Sequence, residues 1–124
     1  MDKEKISYLA GLFDGEGCIT YKKYYRKKKD RLKGYECWSI RLEVAMTDKP
    51  AVEYFKEILG IGRVNSKLRR TPPHAKSKWK DQWRWTCWHR DALKVCKLFL
   101  PYAKVKLDKI NSVINHYDKE SRQT

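Results

Sequence analysis

Leu9-Ala10-Gly11-Leu12-Phe13-Asp14-Gly15-Glu16-Gly17 sets two side-chain gaps on a helix surface and two acids at its end. Working outward, Ile6, Leu9, Ala10 and Phe13 fall at i, i+3, i+4 and i+7, which is one apolar helix face. Tyr8 and Leu12 lie on the opposite side, so the helix is apolar nearly all round. A surface helix with two apolar faces packs one on its own domain and the other on a second body. Gly11 and Gly15 lack side chains and let another backbone approach closely. The spacing therefore predicts a contact face of Tyr8, Gly11, Leu12 and Gly15. Glu16 would arrive at the end of a helix pressed against its neighbour. If the neighbour is an identical helix, two Glu16 carboxylates meet and need a cation between them or a raised pKa.

The chain has 124 residues, enough for one domain spanning 1–124 with a real core. Its formal net charge is +14, and the basic residues are clustered. Residues 22–34 and 63–84 each hold eight Lys or Arg, against only Asp30 and Asp81 as acids. Such density favours a polyanion, and nucleic acid leads. A membrane surface fits poorly, because neither segment has the pattern of a basic amphipathic helix. The four cysteines (18, 37, 87 and 96) show no C-x-x-C spacing and no zinc pattern with His74, His89 or His116. They are expected to be reduced, in an intracellular protein of cytoplasm, nucleoid or organelle. The first residues are charged and no long apolar run exists, so neither a signal peptide nor a membrane span is expected.

After the motif, 18–26 is predicted as a strand, 27–34 as a basic turn and 35–46 as a second strand. In the latter, Trp38, Ile40, Leu42 and Val44 alternate with Cys37, Ser39, Arg41 and Glu43, giving one buried and one wet face. A helix follows, capped by Thr47 or Asp48, with Pro50 in its first turn and Gly60 as its stop. Residues 61–70 are predicted as a third strand, with Val64 and Leu68 inward, and 82–89 as a fourth. From Asp91 the pattern is helical, interrupted at Pro101, and Ile110, Val113, Ile114 and Tyr117 give the last helix its apolar face. The order α-β-β-α-β-β-α-α is an α+β architecture: a four-stranded antiparallel sheet with helices on one face.

The other sheet face is then open. It is predicted to carry Lys22, Tyr24, Arg26, Ser39, Arg41, Asn65, Lys67, Arg69 and Arg84. A twisted β surface fits the major groove, where Arg and Lys read guanine edges.

Residues 9–17 resemble the signature of the LAGLIDADG homing endonucleases, with Phe13, Gly15 and Glu16 as variants the family accepts. The element order also resembles the family's αββαββα fold, whose saddle-shaped sheet sits on DNA; the likeness runs from about Ile6 to Tyr117. What the resemblance implies is a site-specific double-strand endonuclease that hydrolyses phosphodiesters across the minor groove. A single motif implies a homodimer on a long pseudo-palindromic target. Glu16 matches the acid that binds metal and Gly15 a backbone-carbonyl ligand, with Mg²⁺ as cofactor and Mn²⁺ as a substitute. Asp14 matches an acid that structures the motif. The segment Leu100-Pro101-Tyr102-Ala103-Lys104-Val105-Lys106 is similar to one that supplies an active-site lysine, here Lys106 ahead of Lys104. Met46 departs from the pattern, since that position often carries an amide that orders water.

The alternative is a non-cleaving binder of the same fold, an RNA maturase or a transcription regulator. Charge cannot separate DNA from RNA. The acid at Glu16 favours cleavage, because a pure binder gains nothing from acids near phosphate. A ribosome-associated basic protein explains the charge but not the motif helix.

Overall fold

The computed structural model describes residues 2–26, 34–67, 73, 74, 76 and 81–123, with side chains except at 35, 67 and 120–123. Helix α1 (Lys3–Glu16) starts at Asp2, whose carboxylate accepts the Glu4 amide at 2.9 Å and the Lys5 amide at 3.4 Å. These contacts satisfy amides that a helix start otherwise leaves unpaired. Ile6, Leu9, Ala10 and Phe13 are its buried residues, the face the spacing predicts. The chain passes from α1 into β1 (Gly17–Arg26) without a loop. A Cβ at Gly17 would overlap the Phe13 ring and come 2.6 Å from the Phe13 carbonyl oxygen, so only glycine fits this junction.

β2 (Tyr35–Met46) has the predicted bounds, and the basic turn at 27–33 lies outside the described residues. Helix α2 (Lys49–Leu59) is capped by Asp48, which accepts the Ala51 amide at 3.1 Å, and ends at Gly60 with φ 67°. β3 (Arg63–Lys67) starts later than predicted. Gly62 precedes it at φ 93°, and there the Trp85 indole N–H donates to the Ile61 carbonyl at 2.8 Å. Residues 68–70, including Leu68 and Arg69, lie outside the described residues. β4 (Gln82–Trp88) stops one residue short of the prediction, because His89 takes φ 54° and opens α3 (His89–Phe99). A 3₁₀ turn (Leu100–Tyr102) carries Pro101, as the interruption requires, and α4 (Leu107–Gln123) closes the order.

The strands form one antiparallel sheet in the order β1-β2-β4-β3. Ile19, Ile40, Leu42, Val44, Trp85 and Cys87 project from one face into a core shared with all four helices. Phe55 of α2 stacks on Trp85 at 5.0 Å, and Phe13 of α1 meets Phe99 of α3 at 5.5 Å. Helices cover that face and leave the opposite one free, which is the α+β arrangement predicted. No helix among the described residues is long and apolar enough to cross a membrane.

Candidate functional site

The end of α1 is fastened to the segment before α4. The last carbonyls of a helix have no intrahelical donor, and a cation there also meets the negative end of the helix dipole. Lys106 fills this place: its Nζ donates to the Asp14 carbonyl at 2.6 Å. The Asp14 carboxylate in turn accepts the amides of Lys104 (3.2 Å), Val105 (2.9 Å) and Lys106 (2.9 Å). Desolvation raises the Asp14 pKa, but the three amides and the Lys106 ammonium outweigh it and hold the carboxyl below its ordinary value. Asp14 is therefore a structural anion that locks the motif to the lysine segment.

The lock distinguishes the two candidate lysines. Lys106 is half-buried with its ammonium at the motif, whereas Lys104 is exposed and meets Asp14 only through its amide. Beyond the lock, Gly17, Cys18, Ile19, Val105, Lys106, Asp108 and Lys109 line an open pocket of about 410 Å³. Glu16 is exposed at the terminus of α1, next to that pocket's Gly17 wall. Its carboxylate and the Gly15 carbonyl are oxygen donors, the class a hard divalent cation takes. Among the described residues no three His, Cys, Asp or Glu side chains cluster closely enough to hold a metal ion by themselves. Met46 pairs with Trp83 and packs against the core, so it offers nothing polar here.

The predicted second face of α1 is only partly free: Tyr8 is 56% exposed but meets Tyr54 of α2 edge-on at 6.0 Å, and Leu12 is half-buried against the chain's own core. A Cβ added at Gly11 or Gly15 would meet nothing within 4 Å. Neither glycine is needed for packing inside the described chain.

Strand register puts Lys22, Tyr24, Arg26, Ser39, Arg41, Asn65 and Arg84 of the predicted sheet residues on one face, while Arg69 lies outside the described residues. Lys22 pairs with Ser39, Tyr24 with Cys37 and Asn65 with Arg84, and these paired residues point the same way; the Lys67 backbone pairs with Gln82. Lys22, Tyr24, Arg26 and Asn65 are exposed there, while Ser39, Arg41 and Arg84 are half-buried. Arg84 is on this face but is not free, since its Nη1 lies 3.4 Å from Glu43 Oε1. Arg41 donates weakly to the Thr20 hydroxyl at 3.5 Å, and its buried Nε has no partner among the described residues. A buried donor left unpaired costs about 1–3 kcal/mol, so Arg41 would gain from an incoming acceptor. Glu43 is on this face as its alternation predicts, and Thr20 and Arg63 share the face though they were not singled out from the sequence. Once the register is known, their odd or even position along each strand is the signal that finds them.

The chain matches the LAGLIDADG endonuclease family over residues 9–103 and belongs to that family. No curated protein matches it significantly in sequence. Among solved structures, the homing endonuclease I-CvuI, in complex with its target in the presence of 2 mM Ca, is 22% identical with a TM-score of 0.64. That match covers 91% of this chain and 65% of I-CvuI, so the chain spans under two thirds of that relative. The archaeal intron-encoded homing endonuclease I-Vdi141I, complexed with DNA, is 15% identical with a TM-score of 0.66, covering 91% of this chain and 66% of that one. The homing endonuclease I-TnaI is 16% identical with a TM-score of 0.67, covering 99% and 76%. At these identities the likeness is one of fold, in agreement with the αββαββα order.

Proposed function

We propose that residues 1–124 form one LAGLIDADG domain that cuts double-stranded DNA at a specific site, as a homodimer, with Mg²⁺ or Mn²⁺. The observation that carries this reading is the Lys106 ammonium held at the Asp14 carbonyl, two residues before Glu16. A pure binder gains nothing from bringing the exposed Glu16 carboxylate near phosphate. Family membership and the DNA-bound relatives I-CvuI and I-Vdi141I add support.

Glu16 and the Gly15 carbonyl are the ligands one chain offers to the divalent ion. When bound, that ion stabilises charge on phosphate oxygens and lowers the pKa of a bound water. Two oxygens from one chain make half a site, so a second copy docked through Tyr8, Gly11, Leu12 and Gly15 supplies the other acid. Lys106 orients the attacking water or offsets phosphate charge, and its tie to α1 keeps it from swinging away. Lys22, Arg26, Lys67 and Arg69 neutralise phosphates and position the duplex. The two-fold axis of the pair matches a pseudo-palindrome cut across the minor groove. Acting on DNA, the protein would work inside a cell, in cytoplasm, nucleoid or organelle, as a nuclease of the sort that mobilises its own intron or intein.

The test is Mg²⁺-dependent cleavage of a randomised duplex library. Double-strand cuts at a pseudo-palindrome support the reading. Sequence-specific retention with no cut refutes it and leaves the non-cleaving binder, whether an RNA maturase or a transcription regulator.

A further inference from the structure

Glu43 is the one acid among the described strand residues that register places on the open sheet face. A carboxylate facing a polyanion repels it and weakens binding to every sequence alike. Its presence calls for a compensating role, and its contact shows one. Arg84 Nη1 sits 3.4 Å from Glu43 Oε1, with the two side chains only 33% and 22% exposed. The strand geometry favours the pair: Glu43 is two residues from Ala45, which lies directly opposite Arg84, so the contact is a diagonal over a small side chain. Asn65 flanks Arg84 on its other side.

An arginine has five donors in a rigid fork, and a carboxylate on one nitrogen leaves the rest available. Guanine presents O6 and N7 in the major groove at the spacing of that fork. A duplex laid on the face lowers the local dielectric and tightens the ion pair that aims the fork. The geometry points to Glu43 as a positioning residue that holds Arg84 for one guanine in each half-site. This rests on the DNA-acting reading above and adds a residue that sets its specificity.

The test is selection of bound sequences from a randomised duplex library, with Ca²⁺ in place of Mg²⁺ to separate binding from cutting. Wild type, Glu43→Gln, Arg84→Ala and Arg84→Lys are compared. Wild type is expected to enrich guanine at one position per half-site that Glu43→Gln and Arg84→Ala lose, by about fivefold or more, and that Arg84→Lys keeps only in part, with other positions unchanged. Glu43→Gln should bind random duplex at least as tightly as wild type, because a negative charge has left the face. A merely structural role would blur every position together and weaken binding, and that outcome overturns the assignment. So does a Glu43→Gln variant with the wild-type preference throughout, or an Arg84→Ala variant that changes no position. A wild type that selects no sequence overturns the assignment together with the DNA-acting reading, whereas the other failures leave that reading standing.

Discussion

Lys106 is bound to Asp14 twice: its ammonium donates to the Asp14 carbonyl at 2.6 Å, and its amide to the Asp14 carboxylate at 2.9 Å. The two residues are 92 apart in sequence, so the end of the motif helix and the lysine segment move as one unit. In the proposed nuclease such a clamp would keep the Lys106 ammonium in one place beside the reacting groups.

Asp14→Asn should loosen that unit. Its carboxyl is held below the ordinary range, so its contribution is fully present above the unfolded-state pKa and is lost as pH falls through the lower folded value. Urea denaturation across acidic pH should show wild type losing this increment while the variant lacks it throughout. At neutral pH the variant should be less stable by about 1 kcal/mol or more. Equal stability at neutral pH would remove the anion from its structural role.

Lys106→Met should lower cleavage by about a hundredfold while leaving duplex affinity in Ca²⁺ nearly unchanged. Lys104→Met should change cleavage little, since only the Lys104 amide reaches Asp14. Single-turnover cleavage beside equilibrium binding separates the two effects. The reverse ranking of the two variants would reassign the lysine.

Gly11→Ala should act in opposite directions on the two levels of assembly. Inside one chain the added methyl meets nothing within 4 Å, and alanine in an exposed helix position gains about 0.5–1 kcal/mol over glycine. Across the proposed helix pair the same methyl forces the backbones apart. Thermal unfolding of the monomer should therefore rise while sedimentation shows a weakened dimer. A dimer of wild-type affinity would place the interface elsewhere.

How much of this was legible before the structure depends on the range of each interaction. The buried side of α1, the span of β2 and the Asp48 and Gly60 caps of α2 follow from local periodicity and backbone chemistry, and all appear as expected. The sheet face followed too, because alternation fixes it once a strand is recognised. The late start of β3 did not, since Gly62 and the Trp85–Ile61 hydrogen bond depend on a partner strand. The Lys106–Asp14 clamp and the Glu43–Arg84 pair were equally hidden. Both join residues that only tertiary folding brings together.

The cysteines offer an independent check on the core. Burial pushes the Cys87 and Cys96 thiols up to about 12, so almost no thiolate forms at mildly alkaline pH. Cys18 is exposed and Cys37 half-buried. Iodoacetamide on the native protein should label Cys18 and then Cys37, and spare the other two until the chain unfolds. Peptide mass spectrometry reads the order directly; early labelling of Cys87 would contradict the packing of β4.

The central claim is that Glu16 is needed for the chemistry and not for recognition. Its most direct measurement is Glu16→Gln on the duplex that wild type selects, with binding followed in Ca²⁺ and cleavage in Mg²⁺. Retained affinity with cleavage lost on both strands is the predicted result. Cleavage by Glu16→Gln at the wild-type rate would contradict the account.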